Sequence, residues 1–468
     1  MSVLNKSLKV NDKNLLNSYF PARTNNKEDA FDWRIAAAIV VRNLYRKQLS
    51  KAFDKEVGVL TKKLSSEERN LAVIEEKALI VFKEKCKKDF DLRLDEPELW
   101  PYLEEMYFQR DAVYQIAPES FLLRLAGMSG STPQNRLADM FSSLMGGQKI
   151  ELPEVNAKNF LERQLVHSLR NEDIIDKTKS SSFSIMSKGI REEYYLPFLS
   201  DVFRADLVFL SEHPAYMIEQ LENMLKLYGY LYTAQLALNI RGLYSEPSSK
   251  PLFFILEHET ASRERTDLTR NGHQTVQKFL DYIFPYLSVS ENLQKISKDN
   301  NERRMPLWKL ASKLDAEDID ILTQYTKDYS ASRDIPLKDD IPSYDVRAWL
   351  NELLRIAVEQ FGKTGSKKAA LGRFVTVTEQ ELCSTFAKPR GRVGKILVMN
   401  QDFIALLTNL AVGNKEKIRF YELLDEFRKR GVYFDKQSQQ ELIAFYERVG
   451  NVERMSDSGD AVYVRKTF

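Results

Sequence analysis

The best candidates for catalytic chemistry lie in one short segment near the middle of the chain. Glu257, His258 and Glu259 directly follow an apolar run from Leu252 to Leu256, which predicts a short buried strand. Two carboxylates and an imidazole after a strand can bind a divalent metal ion, and metal-dependent nucleases often place their ligands there. One hypothesis is therefore a metal-dependent nuclease with these three residues as ligands.

The same segment also suits a structural ion pair. If it is helical, Glu259, Ser262 and Arg265 lie on one face, and Glu259 can pair with Arg263 one turn later. No Asp/Glu-x-Lys sequence follows the two carboxylates, although such nucleases often carry one. We therefore favour the ion pair over the metal site.

Two other segments imitate catalytic motifs but lack a required residue. Before Gly362-Lys363-Thr364, Ala357 stands where a phosphate-binding loop needs its first glycine, and the preceding residues are helix-like rather than strand-like. In the sequence GMSGS, Ser131 stands where a nucleophile elbow needs its second glycine. The sequence thus predicts no catalytic residue, no metal ligand and no cofactor.

A basic stretch, residues 362–414, is the clearest electrostatic feature. Its eight basic and three acidic residues give a net charge of +5. Clustered Lys and Arg on accessible backbone favour sequence-independent contacts with phosphate, whereas a solvated linker is the alternative. The predicted DNA-binding residues of this stretch are Lys363, Lys367, Lys368, Arg373, Lys388, Arg390, Arg392 and Lys395.

The last residues of the chain, 415–468, together with the helix before them, predict a winged-helix-like domain. The patterns indicate helices over Phe403–Val412 and Ile418–Arg430, then a third helix from the N-cap Asp435 to Val449. Two extended runs around a Ser/Asp/Gly turn follow and predict a β-hairpin. In DNA-binding members of this architecture the last helix enters the major groove, where Lys436, Gln439 and Gln440 would face bases. Protein docking is the alternative, because this part has eleven basic and ten acidic residues.

Composition and helical periodicity predict a mainly α, multi-helical scaffold. The 468 residues are 43% hydrophobic, with 69 basic against 67 acidic side chains, and neither a signal peptide nor a membrane helix is expected. Cys86 and Cys383 form no redox or metal spacing, which favours a reducing cytoplasm. The predicted segments are an N-terminal helical domain (1–245), a central helical domain with one short strand (246–361), the basic segment with a leading helix (362–414) and the winged-helix-like domain (415–468). Residues 1–361 carry a net charge of −4.

Two sets of residues resemble the G subunit (DptG, also called DndG) of bacterial DNA phosphorothioation-dependent restriction systems. The first is Glu259-x-x-Ser262-x-x-Arg265, followed by Gly272. The second is the C-terminal tail, with the segment Arg430–Asp435 and the sequence SDSGDA, which contains Asp457, Gly459 and Asp460. Together they cover less than a quarter of the chain.

The resemblance implies a place in an anti-phage complex that attacks double-stranded DNA lacking the phosphorothioate mark. It implies two ATPase-type partner subunits, one of them related to hexameric translocases, and no enzymatic motif in this chain. The leading hypothesis is a non-enzymatic adaptor that joins ATPase partners to DNA. A metal-dependent nuclease subunit and a winged-helix transcriptional regulator are the alternatives.

Overall fold

The structure is a computed structural model of the chain. It describes residues 3–5, 8–11, 14, 20–23, 31–62, 64–65, 70–91, 100–109, 111–128, 133–154, 157–176, 193–294, 304–362, 364–455 and 461–468. These residues are mainly helical, as the sequence predicts.

The first half of the described chain contains helices and a two-residue strand pair. Its helices are α1 Trp33–Tyr45, α2 Lys51–Thr61, α3 Leu71–Asp91, α4 Trp100–Tyr107, α5 Pro133–Met145, α6 Phe160–Leu169, α7 Pro197–Glu212 and α8 Pro214–Asn239. The 3₁₀ helices Ala112–Gln115 and Pro118–Leu125 connect α4 to α5, and strands β1 Gln48–Leu49 and β2 Ile175–Asp176 pair antiparallel.

The second half alternates helices with short strands. Its helices are α9 Thr266–Arg270, α10 His273–Asn292, α11 Leu307–Lys313, α12 Ile319–Arg333, α13 Val346–Glu359, α14 Ser366–Thr378, α15 Gln401–Val412, α16 Phe420–Lys429 and α17 Lys436–Val449. Its strands are β3 Leu252–Leu256, β4 Ala387–Pro389, β5 Lys395–Met399, β6 Lys417–Arg419, β7 Val432–Phe434, β8 Val452–Met455 and β9 Ala461–Arg465. A π-helical turn, Glu379–Cys383, follows α14, and 3₁₀ helices cover Ala316–Asp318 and Gly391–Val393.

Helix α8 is the central element of the helical body. Pro214 occupies its first turn, where a missing N–H costs no hydrogen bond, and most of the helix is buried on every side. It packs against α1, α7, α10 and α15. The predicted long core helix from Met217 to Ile240 is therefore confirmed, with its start three residues earlier.

A four-stranded sheet of order β4-β5-β3-β7 lies beside α8. Strand β3 pairs in parallel with β5 and β7, and β4 pairs antiparallel with β5. The alternation of side chains along a strand separates its two faces. One face, with Phe254, joins the main core, whereas Ile255 on the other face packs with Leu268 of α9.

The sheet changes the interpretation of the basic segment. The predicted strand Leu252–Leu256 is confirmed, but its partners come from 362–414 and from the C-terminal tail. The alternative of a solvated linker for the basic segment is wrong, because residues 364–414 form α14, the π-helical turn, β4, β5 and α15. Their apolar residues, such as Leu397 and Leu407, are fully buried.

The C-terminal elements follow most of the predicted pattern. The predicted N-cap is confirmed, because the Asp435 carboxylate accepts a hydrogen bond from the N–H of Ser438, and Gly450 ends α17 with a φ of +79°. The predicted hairpin is confirmed as β8 and β9, which form a three-stranded sheet of order β6-β9-β8. The predicted helix Ile418–Arg430 is wrong at its start, because Ile418 lies in β6 and pairs with β9.

Two further observations concern the whole described chain. Cys86 and Cys383 are both buried and free. No helix within the described ranges is long and apolar enough to cross a membrane.

Candidate functional site

The β3–α9 loop, residues 257–265, connects the end of β3 to α9. It forms turns rather than a helix, so the predicted pairing of Glu259 with Arg263 is wrong. The structure instead pairs Glu259 with Arg265, at a distance of 2.9 Å between Oε2 and Nη1. The prediction of a structural ion pair is thus confirmed with a different partner.

Glu259 turns its carboxylate into the protein. The residue is only 5% exposed, and its Oε1 atom accepts a 2.7 Å hydrogen bond from the N–H of Leu256. Its Oε2 atom accepts a second hydrogen bond, of 3.0 Å, from the hydroxyl of Ser438. Both oxygens therefore have protein partners, as a buried carboxylate requires.

Arg265 connects this loop to the start of α17. Its Nε and Nη2 atoms donate to the two carboxylate oxygens of Asp435, each at 2.7 Å, and Nη2 also donates to Ser438 Oγ at 2.7 Å. The planar guanidinium matches the carboxylate in this two-bond arrangement. Ser262, the middle residue of the central motif, has a local partner, because its hydroxyl accepts a hydrogen bond from the N–H of Glu264.

The charges in this network stabilise one another. Burial opposes the ionisation of Asp435, but hydrogen bonds from Arg265 and from the N–H of Ser438 outweigh it and lower the pKa of Asp435. Burial likewise opposes the charge on Arg265, but Asp435 and Glu259 outweigh it and raise the pKa of Arg265. Asp435 and Arg265 therefore both carry their charge at neutral pH.

The β3–α9 loop also contacts the basic turn, residues 390–394, which joins β4 to β5. Arg390 donates to the carbonyl oxygen of Glu257 at 2.6 Å, and Arg263 donates to the carbonyl oxygen of Arg392 at 3.0 Å. On the other side, His258 Nε2 lies 3.0 Å from a carboxylate oxygen of Glu441 in α17. The loop therefore lies between the basic turn and α17.

The predicted DNA-binding residues occupy three places. The first group lies on α14, which packs against α10, and consists of Lys367, Lys368 and Arg373. The second group lies in or beside the basic turn and consists of Lys388, Arg390, Arg392 and Lys395. The third group lies in the first turns of α17 and consists of Lys436, Gln439 and Gln440. The second and third groups both border the β3–α9 loop. Lys363 and the tail residues Asp457, Gly459 and Asp460 lie outside the described residues.

These side chains differ in their exposure to solvent and in their partners. Those that are exposed are Lys367, Arg373, Lys388, Arg392, Lys436 and Gln440. Lys395 pairs with Glu379 at 3.2 Å, and Lys368 lies 3.6 Å from Asp281. Gln439 donates its side-chain amide to the carbonyl oxygen of Phe434 at 2.7 Å, so this amide caps β7 rather than facing outward.

The predicted metal ligands of the nuclease hypothesis face different surroundings. Glu257 and His258 are exposed, whereas both oxygens of Glu259 are held inside the protein. Within the described ranges, no group of three or more His, Cys, Asp or Glu side chains is arranged to hold a metal ion.

The tail segment Arg430–Asp435 is anchored at both ends. Asp435 belongs to the network above, and Arg430, only 2% exposed, pairs with the buried Asp206 of α7. Arg430 donates from Nη2 and Nε to the two oxygens of Asp206, at 2.5 and 3.0 Å, and Tyr228 of α8 donates its hydroxyl to the same carboxylate. This ion pair fixes the end of α16 to the helical body.

Sequence reasoning missed the long-range partners. Asp435 was expected as a helix cap, but its role as the partner of Arg265 could not be found locally, because the two residues are 170 positions apart. The only signal was that both belong to the segments that resemble one family.

No family model matches the sequence, and a search of curated proteins finds no match.

Proposed function

We propose that this chain is a non-enzymatic, double-stranded DNA-binding adaptor of an anti-phage restriction complex. In this proposal it works in the cytoplasm with ATPase or translocase subunits on DNA that lacks the phosphorothioate mark. The observation that carries the DNA-binding part is that the basic turn and the start of α17 both contact the β3–α9 loop.

The charges of this side suit a phosphate backbone. Arg263, Arg392, Lys388 and Lys436 are exposed, and the guanidinium of Arg263 lies against the main chain of the basic turn. When exposed cations on fixed backbone neutralise phosphates, the counterions condensed on the DNA are released, and this release supplies most sequence-independent affinity. Because Arg265 and Asp435 neutralise each other, they position the surface rather than add to its charge.

The order of elements supports a winged-helix-like reading of the end of the chain. Helices α15, α16 and α17 are followed by the β8–β9 hairpin, and β6, between α15 and α16, adds to that hairpin as a third strand. In DNA-binding proteins of this kind the last helix enters the major groove and the hairpin contacts phosphate. Exposed Lys436 and Gln440 at the start of α17 could then reach the groove.

The adaptor part of the proposal depends on the resemblance. The central motif and the tail segment that resemble the G subunit are joined in space through Arg265 and Asp435. A mechanism by which one subunit couples ATPases to DNA needs a rigid connection between its two surfaces. The buried pair of Arg430 and Asp206 supplies such a connection between the C-terminal elements and the helical body.

Charge substitution in the basic turn tests the DNA-binding part. A chain cut after Phe361 would lose β4, β5 and β7 from the sheet, so loss of binding could reflect loss of folding. The double variant Lys388→Glu/Arg392→Glu, at two exposed cations beside and within the basic turn, should instead lower affinity for a 30-base-pair duplex by at least about tenfold in fluorescence anisotropy. The control Arg428→Glu changes an exposed arginine at the far end of α16 and should bind within about twofold of the wild type. Equal affinity of the double variant and the control would contradict the proposal.

The partner part needs a separate measurement. Tagged full-length protein should copurify ATPase subunits from its native host, identified by mass spectrometry. Asp206→Asn/Arg430→Met, if folded, should retain DNA binding but recover less ATPase. Recovery of no ATPase by the wild type would contradict the adaptor role and leave DNA binding to be judged by the first experiment.

A further inference from the structure

A second basic surface lies on the three-stranded sheet, apart from the basic turn. Strand β6 pairs with β9 so that Lys417 is opposite Arg465 and Arg419 is opposite Tyr463. Side chains two residues apart in a strand share a face, so these four residues lie on one side of the sheet. Ile418 and Val464, the residues between them, are buried on the other side.

Arg419 is the central residue of this face. It is exposed, and its guanidinium is held by two tyrosines: Nε donates to the hydroxyl of Tyr463 at 3.1 Å and Nη1 to the hydroxyl of Tyr421 at 3.3 Å. Its Cζ atom also lies 5.8 Å from the ring centre of Tyr463 and 6.0 Å from that of Tyr421. The tyrosines thus fix the orientation of a long side chain that usually moves freely.

The carboxylates near this face have other partners. Glu453, opposite Tyr463 on β8, pairs with Lys417 at 2.9 Å and with Arg465 at 2.5 Å. Glu422 accepts a hydrogen bond from the main-chain N–H of Arg419 at 3.2 Å. Among the described residues, no carboxylate lies within ion-pair distance of the Arg419 guanidinium.

The hydrogen-bonding inventory of the cluster fits an anion. A guanidinium has five N–H groups, and Arg419 uses two of them on the tyrosines, which leaves three. Each tyrosine oxygen accepts from Arg419 and keeps its own proton for donation. Tyr421 is 55% exposed, so a ligand can reach its hydroxyl from solvent. Three N–H and two O–H donors around one uncompensated charge suit the oxygens of a phosphate group.

We propose that Arg419, Tyr421 and Tyr463 form a phosphate-binding site for the backbone of double-stranded DNA. The inference rests on the proposed function, because it gives the same DNA a second point of contact. Tyr463 belongs to β9 of the β8–β9 hairpin, so the contact corresponds to the phosphate contact made by the hairpin side of a winged helix. Free inorganic phosphate offers the same chemistry and is the other source to distinguish.

Variants of the full chain test the site. Arg419→Gln should lower duplex affinity about three- to tenfold near 0.1 M salt, and should reduce the slope of log K against log salt by about one, as expected for one lost phosphate contact. Tyr421→Phe/Tyr463→Phe keeps both rings and removes only the hydroxyls, so it should weaken binding a few-fold with little change in slope. The control Arg428→Gln changes an arginine that already pairs with Asp425 and should match the wild type.

The outcomes separate this inference from the proposed function. If the wild type does not bind the duplex, both fail. If Lys388→Glu/Arg392→Glu abolishes binding while Arg419→Gln behaves as Arg428→Gln does, only the inference fails. If inorganic phosphate binds the wild type but not Arg419→Gln in calorimetry, and duplex affinity is the same for both, the site serves a small phosphate ligand and the DNA contact is overturned.

Discussion

Arg265 donates two hydrogen bonds of 2.7 Å to the carboxylate of Asp435, a residue 170 positions further along the chain. Through this pair, the loop after the central strand of the sheet is fixed to the first turn of α17. The same loop holds the basic turn through Arg390 and Arg263. The relative positions of two predicted DNA-contacting groups therefore depend on one buried network.

Removal of Arg265 should destabilise the protein strongly. Arg265→Ala leaves the buried Glu259 and the half-buried Asp435 without their cation, so the free energy of unfolding should fall by roughly 3 kcal/mol. Arg263→Ala, two residues earlier on an exposed side chain, should cost less than about 1 kcal/mol. Urea unfolding followed by circular dichroism measures both, and equal losses would contradict the assignment of the network to Arg265.

The contribution of Asp435 should depend on pH. Its pKa in the folded protein lies below the value of about 3.9 for an unfolded chain. The stabilisation is thus present above about pH 4 and is lost as the pH falls through the lowered folded value. The difference in unfolding free energy between the wild type and Asp435→Asn should be constant near neutral pH and shrink below about pH 4. The control Glu246→Gln, at an exposed carboxylate, should change the unfolding free energy at pH 7 by less than about 0.5 kcal/mol. A difference for Asp435→Asn that grows on acidification would refute the sign.

The pair of Asp206 and Arg430 should show strong coupling. Asp206→Asn leaves the buried arginine without a counter-charge and should cost about 3–5 kcal/mol. The double variant Asp206→Asn/Arg430→Met should cost clearly less than the sum of the two single changes. Asp201→Asn, which removes the exposed partner of Arg204 on the same helix, should cost below about 1 kcal/mol. Additive losses in the double-mutant cycle would show that the pair is not coupled.

Gly431 should tolerate no side chain, because two constraints meet there. Its φ is +83°, and a Cβ atom would lie 2.2 Å from Nε2 of Gln235. Gln235 cannot move aside cheaply, since its amide donates to the carbonyl oxygen of Lys250 and accepts from the N–H of Lys250. Gly450 has a similar φ of +79° with open space around it. Gly431→Ala should therefore lower the melting temperature clearly more than Gly450→Ala, which pays only the conformational cost of about 1 kcal/mol. Equal shifts would show that Gln235 does not constrain the position.

Local patterns in the sequence predict several of the elements but not their partners. The apolar run of β3 and the Asp435 cap of α17 each predict structure within a few residues, and both are confirmed. The parallel pairing of β3 with β5 and β7 depends on contacts between distant segments, which no local periodicity encodes. In the basic segment, the charges can be read directly from the sequence. Strands β4 and β5, with three and five residues, are too short to give a clear strand pattern.

The candidate site was predictable in its residue types rather than in its geometry. Glu259 and Arg265 were recognised as belonging together, but a helical spacing favoured Arg263 as the partner of Glu259. Because the loop forms turns instead of a helix, Arg263 contacts the basic turn, whereas Arg265 pairs with Asp435. Whether a side chain is buried with a distant partner depends on the tertiary fold.

DNA binding by this surface should show a steep dependence on salt, which can be measured with the wild-type chain and a duplex. We expect log K to fall linearly with log salt, with a slope of about −3 or steeper. This slope corresponds to three or more phosphates neutralised by cations of the basic turn, the β3–α9 loop and the start of α17. Fluorescence anisotropy between about 0.05 and 0.3 M salt, with a duplex of arbitrary sequence, provides the slope. No binding at the lowest salt, or a slope near zero, would contradict the account.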